Sequence, residues 1–427
     1  MIKHSATLAI NEKIAQRRAR GETVVHLGFG EAGIPVLPEA TEALASAASR
    51  TDYGPVAGSE DLRTQIAGYF DRRGRATHPE QVLPAPGSKA LLYALIQSLP
   101  GDVVLPRPSW VSYAAQAALA GKKTIWVDIP RDAGGVPDPG KLQHRLDEAR
   151  RHGADPGILI LTIPDNPTGT VAPAATVEAV CRIAAANGIT IVSDEIYRDL
   201  AYDATSFCTP ADFLPDRTFV TSGLSKSMAL GGWRVGFARV PATDEGAAVR
   251  DELIGVASEV WSNMATPMQE AACWILSEPP EVSAHVARAR TLHRSVSLGV
   301  HEIFRSAGAV ARTPAAAFYQ YPDLGSFETA LRRRGVTGAE AVSDHLLETY
   351  GIGMLSGAAF GDDPAALRFR VATSLLYGST TEERWRAMES ADPLELPWIR
   401  SALDRLGDAL ADLSIDSEGA DREWEQV

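Results

Sequence analysis

The chain has 427 residues, of which 45% are hydrophobic and 22% are charged, and its formal net charge is -13. This composition is typical of a folded globular protein with a large core and argues against a disordered chain. Because the charge is negative and no run of Lys and Arg offsets it locally, the sequence predicts no nucleic-acid partner.

The three cysteines, Cys181, Cys208 and Cys273, lie far apart and lack the spacing of a zinc site or a disulfide framework. The first residues contain no apolar signal core, and no run of about eighteen apolar residues predicts a membrane span. We therefore expect no metal site, no membrane contact and a location in the reducing cytoplasm.

Short apolar runs alternate with helical patterns through the middle of the chain. Runs at 103–105, 158–163, 189–192 and 219–221 predict buried strands, and the pattern at 174–186 predicts a helix. This alternation indicates an α/β fold with a mostly parallel central sheet wrapped by helices. Ligands of such sheets bind beyond the carboxyl ends of the strands, so the loops there are the candidate site.

The first candidate loop is Pro-Gly-Ser-Lys-Ala at 86–90, which precedes a helical pattern at 90–99. Ser88 and Lys89 would offer free backbone N–H groups at a helix N-terminus, which is a favourable seat for a phosphate. Ser222, Ser225 and Arg234 would close the other side of that seat. Each of these residues taken alone is more often structural.

The next two strand ends carry groups suited to a flat ring. Trp110 follows the run at 103–105 and offers a stacking surface, although a core tryptophan is the commoner explanation. Asn166 follows the run at 158–163 between Pro164 and Pro167, which would restrict its backbone and hold its amide as a rigid donor.

Asp194 and Tyr197 follow the run at 189–192. A carboxylate there would pair with the protonated nitrogen of a pyridine ring and make the ring an electron sink, and Tyr197 would donate to the ring's phenolate oxygen. A helix-capping Asp followed by a core Tyr gives the same pattern. Asp194 and Tyr197 therefore indicate a ring-binding site only when they are considered together with the other motifs at the strand ends.

Lys226 is the only one of seven lysines in the second half of the chain. It lies in Thr-Ser-Gly-Leu-Ser-Lys-Ser-Met, among small and apolar residues where a solvated surface lysine is out of keeping. An amine in such surroundings is suited to attack an aldehyde. Taken alone, the string fits either a chance lysine in a loop or Schiff-base chemistry at Lys226.

The last third of the chain mixes helical stretches with strand-like pieces at 316–321 and 367–372, which predicts a smaller α+β domain. Arg368 and Arg370 alternate with apolar residues there, as they would on a strand, and a guanidinium can grip a carboxylate with two bonds. We expect an N-terminal arm and part of the small domain at 1–47, a large domain at 48–294, a small domain at 295–416 and a disordered tail at 417–427.

Taken in this order, the strings resemble the class I/II aminotransferase family of fold type I pyridoxal-phosphate enzymes, from about residue 6 to residue 373. The resemblance implies pyridoxal 5'-phosphate bound as an aldimine to Lys226, which also moves the Cα proton by way of a quinonoid intermediate. It assigns the ring nitrogen to Asp194, the phenolate oxygen to Tyr197 and Asn166, and ring stacking to Trp110.

The resemblance also implies roles for residues outside the ring contacts. The phosphate would be held by Ser88 and Lys89 through their backbone, by Ser222 or Ser225, and by Arg234. Gly30 and Asn166 would lie against the substrate, and Arg368 would bind its carboxylate. Tyr53 would reach the phosphate of a neighbouring subunit, which implies a homodimer with shared sites.

Three departures from the family pattern stand out in the sequence. Gly223 occupies a position where many members carry a phosphate-binding serine, so Ser222 or Ser225 must substitute for it. Arg370 stands where the family usually has a small polar residue, which leaves open which arginine meets the carboxylate. The segment 375–397 is an insertion before the last helix.

The resemblance favours transamination between an L-amino acid and a 2-oxo acid. Elimination or replacement at Cβ or Cγ, cyclisation and oxidation start from the same intermediate, and the motifs do not separate them. The fold also serves as a sensing module in transcription factors, but only 29 residues precede Gly30 and no helix-turn-helix pattern fits there.

Overall fold

The structure is a computed structural model that describes residues 6–414. The predicted disordered tail at 417–427 lies outside the described residues. The chain divides into two compact units. The large unit consists of 34–166 and 170–291, and the small unit of the residues up to Gly33, 167–169 and those from Leu292 onward.

The described part of the chain forms strands that we number in chain order. They are β1 (Val25–His26), β2 (Val82–Pro86), β3 (Asp102–Arg107), β4 (Thr124–Asp128), β5 (Pro156–Thr162), β6 (Thr190–Asp194), β7 (Thr218–Gly223), β8 (Val235–Arg239), β9 (Tyr319–Gln320), β10 (Ile352–Gly353), β11 (Leu355–Ser356) and β12 (Phe369–Ala372).

The α-helices are numbered in the same way. They are α1 (Ala6–Ala19), α2 (Pro38–Ala47), α3 (Glu60–Asp71), α4 (Ser88–Ser98), α5 (Val111–Leu119), α6 (Pro139–Arg151), α7 (Ala174–Ala186), α8 (Leu224–Ser227), α9 (Asp244–Val260), α10 (Thr266–Leu276), α11 (Pro280–Ser306), α12 (Glu328–Arg333), α13 (Ala339–Tyr350), α14 (Thr381–Glu389) and α15 (Pro397–Ser414). None of them combines the length and the apolar character needed to cross a bilayer.

The large unit is built on a seven-stranded sheet in the order β2-β8-β7-β6-β5-β3-β4. The strands β4, β3, β5, β6 and β7 pair in parallel, and β8 runs antiparallel to both of its neighbours. The predicted mostly parallel sheet is therefore confirmed. Its single reversed strand was not predicted.

Both faces of this sheet are covered because its central strands are apolar on both sides. Along β5, Ile158 and Ile160 join one core with α4, α5 and α9, whereas Leu159 and Leu161 join a second core with α6 and α7. Side chains of a strand alternate between the two faces, so a continuous apolar run serves two cores at once. The sheet is thereby held rigidly between helices.

The division between the units falls at residue 33 rather than at residue 47, where the sequence placed it. The helix α2 belongs to the large unit because Ala40, together with Leu37 just before the helix, packs in one core with Ile66 of α3 and Ile275 of α10. The contact with α10, which lies more than 200 residues away in sequence, cannot be predicted from the local pattern of α2.

The small unit contains two small sheets. The strand β1 pairs in parallel with β10, and β11, β12 and β9 form an antiparallel sheet. Both strand-like pieces of the sequence are present, although β9 and β12 are shorter than the predicted stretches at 316–321 and 367–372. The unit is an α+β domain that draws on both ends of the chain.

The segment 375–397 carries α14 and is anchored at both ends within the small unit. At its start, the indole Nε1 of Trp398 donates to the carbonyl oxygen of Tyr377 at 3.0 Å. Near its end, Leu394 packs against Gly299 of α11, where an added Cβ would approach the Leu394 side chain to 3.0 Å. The segment 375–397 is therefore a helical element that packs against the rest of the small unit.

Candidate active site

The candidate residues of the large unit lie at one edge of its sheet. Asp194 ends β6, Asn166 follows β5, and Lys226 belongs to α8, directly after β7. Arg234 directly precedes β8, and because β8 is antiparallel its first residue lies at the same edge. Parallel strands present their carboxyl ends together, so the topology gathers side chains that are far apart in sequence.

Asp194 is a buried carboxylate, 4% exposed, held by hydroxyl groups. The hydroxyl of Tyr113 donates to its Oδ2 at 2.7 Å, and the hydroxyl of Thr221 donates to its Oδ1 at 3.3 Å. Burial raises the pKa of Asp194 from its ordinary 3.8 to about 6, against the opposing effect of these hydrogen bonds. Among the described residues, no basic side chain forms an ion pair with Asp194.

Asn166, Tyr197 and Lys226 lie near one another. The amide Nδ2 of Asn166 donates to the hydroxyl of Tyr197 at 3.3 Å. The amine nitrogen of Lys226 lies 5.9 Å from the centre of the Tyr197 ring. Trp110 packs edge to face against Tyr113, with ring centres 5.1 Å apart. The structure thus brings the predicted ring contacts together within one unit.

The helix α4 begins in a positively charged environment. Its N-cap, Gly87, provides no side-chain cap, so the first backbone N–H groups remain available for an anion. Partial burial lowers the pKa of Lys89, and repulsion from Arg234 and Lys226 lowers it further. Within 6–414, neither Lys89 nor Arg234 has a carboxylate at ion-pair distance. Such a cluster favours a bound dianion.

Two glycines allow this cluster to form. An added Cβ at Gly87, whose φ is +92°, would lie 2.1 Å from the guanidinium of Arg234. An added Cβ at Gly236 would lie 2.1 Å from the backbone nitrogen of Ser88. Side chains at either position would push the helix N-terminus and Arg234 apart, so glycine is required by close approach.

The two serines proposed for the phosphate differ in their surroundings. Ser222 is 3% exposed, and its hydroxyl donates to the backbone oxygen of Glu195 at 3.4 Å. Ser225 is partly exposed, and its hydroxyl has no hydrogen-bond partner among the described residues. The geometry therefore favours Ser225 over Ser222 as the residue that replaces the missing serine at Gly223.

Tyr113, Glu195 and Arg198 were missed as contributors to the site. Glu195, 1% exposed, accepts hydrogen bonds from Ser193 and Thr209 and pairs with Arg198 at 3.1 Å. This ion pair fixes the backbone between Asp194 and Tyr197. The three-residue spacing of Glu195 and Arg198 could have predicted this ion pair. In the sequence alone, however, the same spacing is typical of an ordinary surface ion pair.

The two arginines of the small unit have different environments. Arg368 pairs with Asp323 at 3.0 Å and with Asp362 at 3.1 Å, and its side chain is 43% exposed. Arg370 is 2% exposed, and its guanidinium donates to the backbone oxygen of Gly28 at 2.5 Å. Arg368 thus has two carboxylate partners, whereas Arg370 is buried.

Gly30 lies close to Arg370. An added Cβ at Gly30 would lie 2.3 Å from the hydroxyl of Tyr319, whose ring centre lies 5.3 Å from the guanidinium carbon of Arg370. Gly30 and Arg370 therefore share Tyr319 as a neighbour within the small unit. Tyr53 of the large unit, by contrast, is 90% exposed.

The burial of Asp194 leads to a pH-dependent effect on stability. A carboxyl group whose pKa is higher in the folded than in the unfolded protein makes the protein less stable as the pH rises from the unfolded-state pKa to the folded-state pKa. We therefore measure the unfolding free energy of Asp194→Asn minus that of wild type, both without cofactor. This difference should increase by about 2 kcal/mol when the pH is raised from 4 to 7. Chemical denaturation at both pH values measures this, and an unchanged difference would contradict it.

Comparison with known proteins agrees with this geometry. The family model described as aminotransferase class I and II matches residues 22–375. The chain belongs to this family. The match ends where the segment 375–397 begins.

Curated aminotransferases match nearly the whole chain. The aspartate/prephenate aminotransferase of Cereibacter sphaeroides is 32% identical over 87% of this chain and 92% of its own length. The aspartate aminotransferase of Geobacillus stearothermophilus is 31% identical over 89% and 95%. A solved aspartate aminotransferase from Thermus thermophilus with maleate has a TM-score of 0.81 at 28% identity, covering 96% and 97%.

The protein is therefore a pyridoxal-phosphate-dependent aminotransferase that works on an amino acid and a 2-oxo acid. Elimination, replacement, cyclisation and oxidation are not favoured by these relatives. The residues present fit the cofactor. Asp194 is a buried carboxylate that lacks a cation and suits a pyridinium, and the cations around the open end of α4 suit a phosphate.

Proposed function

We propose that this aminotransferase accepts an acidic amino acid of the aspartate type, with Lys226 as its catalytic base and acid. The names of the most similar relatives support this substrate class. The observation that carries the residue assignment is the buried carboxylate of Asp194, which lacks a cation and lies at the same sheet edge as Lys226.

The residues of the large unit would divide the work as follows. Lys226 would hold the cofactor through its amine, and the same amine would take the proton from the substrate Cα and give it back. Asp194, held by Tyr113 and Thr221, would keep the ring nitrogen protonated, and Tyr197 and Asn166 would bind the phenolate oxygen. When bound, pyridoxal phosphate supplies a ring that withdraws electrons from Cα.

Trp110 would stack on the ring, and the phosphate would be held by the remaining polar groups. These are the backbone N–H groups of Ser88 and Lys89, the hydroxyl of Ser225 and the guanidinium of Arg234. Ser222 would act only through the backbone of Glu195, to which its hydroxyl donates. The aldehyde-reactive amine, the anionic group for the ring and the cationic seat for the phosphate are then all present in one unit.

In the small unit, we propose Arg370 rather than Arg368 as the group that binds the substrate α-carboxylate, with Gly30 beside it. Arg370→Leu should raise KM for both the amino acid and the 2-oxo acid by about 10²-fold or more, since a buried guanidinium–carboxylate pair contributes several kcal/mol. Steady-state kinetics in both directions measure this effect.

Arg368→Leu is the matched control for Arg370→Leu. Arg368 is already paired with two carboxylates on a more exposed surface, so its loss should change KM by only about twofold. Arg370→Lys should recover part of the loss, because it keeps the charge but not the two-bond geometry. A larger KM effect for Arg368→Leu than for Arg370→Leu would reverse the assignment.

We also propose that the enzyme is a homodimer in which Tyr53 reaches the phosphate of the neighbouring subunit. The side chain of Tyr53 is 90% exposed in the single chain. Large aromatic side chains exposed at a surface often mark a protein–protein interface, so this exposure supports a subunit contact at Tyr53. The thiols of Cys181, Cys208 and Cys273 are free, as a cytoplasmic location would require.

Mixed dimers test this sharing of sites. Tyr53→Ala and Lys226→Ala should each be impaired alone, but equal amounts unfolded and refolded together should regain about a quarter of the wild-type sites. Half of the dimers are then mixed, and each mixed dimer has one intact site. Activity no higher than that of the two variants measured separately would contradict a shared site.

A further inference from the structure

The large unit contains a cavity of about 560 Å³ behind the segments that carry the candidate catalytic residues. Ser227 and Met228, directly after Lys226, line it, and so does Arg198, directly after Tyr197. None of the residues proposed to hold the cofactor belongs to its lining. The cavity is therefore separate from the cofactor site, and its volume lies within the range of about 300–1,000 Å³ that is common for small-molecule sites.

One wall of the cavity is apolar. It consists of Leu224, Met228, Ile275, Leu276, Val282 and Val286. A ligand with a hydrocarbon or aromatic body would remove this surface from water, which favours binding in proportion to the apolar area that is buried.

The other wall is charged, and its carboxylates are all neutralised. Asp199 pairs with Arg73 at 2.9 Å, and Glu278 pairs with Arg73 at 2.6 Å and also with Arg72. The remaining carboxylate of the lining, Asp212, pairs with Arg75. No carboxylate of this wall is left to attract a cation.

The lining contains three arginines and three carboxylates, but Arg72 and Arg75 from outside the lining also pair with those carboxylates, which leaves one arginine unmatched. Arg198 pairs with the buried Glu195 at 3.1 Å, whereas Arg290 has no carboxylate at ion-pair distance in the described part of the chain. An arginine that lines a cavity without a counter-ion favours an anion, and its planar fork suits a carboxylate. The unmatched charge and the apolar wall together define the ligand class.

We propose that this cavity is an effector site for a small carboxylic acid with an apolar body, whose carboxylate binds Arg290. The occupant would contact Arg198, whose guanidinium holds Glu195 beside Asp194, and Met228, two residues from Lys226. Occupancy would thereby act on the segments that hold the ring nitrogen and the catalytic amine. This inference does not rest on the proposed substrate.

Isothermal titration of the holoenzyme with 3-phenylpropanoate tests the site. We expect binding that Arg290→Leu weakens by about tenfold or more, and that the uncharged 3-phenylpropanamide does not reproduce. Arg288→Leu is the matched control, because Arg288 is exposed on the same helix and does not line the cavity. It should leave the affinity within about twofold of wild type.

A second variant and a second readout separate the site from a folding defect or from binding elsewhere. Ala287→Trp should fill the cavity and also abolish this binding, while unfolding curves report whether either variant is folded. Binding should change the visible absorbance of the bound cofactor in wild type but not in Arg290→Leu. Affinity that is unchanged in both cavity variants, or binding without any change in absorbance, would overturn the proposal.

Discussion

Replacing Lys226 by alanine should lower kcat for transamination by about 10⁴-fold or more, the largest effect expected of any single substitution in this protein. The substitution removes both the amine that binds the cofactor and the group that moves the Cα proton. Stopped-flow and steady-state assays of the purified variant, supplied with excess pyridoxal phosphate, measure the loss.

Two further variants separate the amine from its charge. Lys226→Arg keeps a cation beside Tyr197 but lacks a nucleophilic amine, so it should be almost as inactive as Lys226→Ala. Lys141→Ala is a surface control and should retain full activity, since Lys141 is exposed and, among the residues from 6 to 414, pairs with Asp128 alone. If Lys226→Ala kept kcat within tenfold of wild type, the assignment of Lys226 would be wrong.

Asp194→Asn should lower kcat by about 10²–10³-fold while leaving the fold intact. Asparagine has the same size and still offers an oxygen to the hydroxyl of Tyr113, so the packing of the buried site is preserved. What the variant loses is the negative charge that keeps a proton on the ring nitrogen. Without that proton the ring withdraws electrons from Cα less effectively.

Thr221→Val is the companion control for Asp194→Asn. It removes the longer of the two hydroxyl contacts, at 3.3 Å, and leaves both the charge and the shorter contact from Tyr113 in place. We expect a loss of kcat below about tenfold, in keeping with a single weak hydrogen bond. An equal loss in Thr221→Val and Asp194→Asn would mean that geometry, rather than charge, sets the rate.

The sheet and the candidate residues at its edge were predictable because both depend on short-range pattern. Apolar runs predicted the positions of β3, β5, β6 and β7. Asn166 follows β5, Asp194 is the last residue of β6, and Lys226 lies in α8 directly after β7. Parallel topology then requires these strand ends to meet at one edge. The reversed direction of β8 was not predicted, because an antiparallel neighbour leaves no distinct mark on a fully buried strand.

The choice between Arg368 and Arg370 was not predictable, because long-range charges decide it. Arg370 lies in β12 and Arg368 directly precedes it, so the two arginines show the same alternation in the sequence. Asp323 lies 45 positions before Arg368 in the sequence, and it is the fold that brings the two together. The partner of Arg370, the backbone oxygen of Gly28, lies 342 positions away. The family resemblance favoured Arg368, and only the structure showed that its charge is already matched by Asp323 and Asp362.

The boundary at residue 33 and the role of Tyr113 were missed for a similar reason. The sequence pattern of α2 would be the same in either unit. Contacts with α10 are what place it in the large unit. Tyr113 lies on α5, three residues after Trp110, where it reads as a core aromatic. Its hydroxyl is committed to Asp194, which is 81 positions away.

The most direct test of the proposed function is a half-reaction followed by the visible absorbance of the bound cofactor. L-aspartate is added to the holoenzyme without oxygen, and 2-oxoglutarate is added afterwards. We predict that the absorbance band of the holoenzyme disappears with L-aspartate, that oxaloacetate forms in equal amount, and that 2-oxoglutarate restores the band. Release of ammonia, or a band that the 2-oxo acid does not restore, would contradict an aspartate aminotransferase.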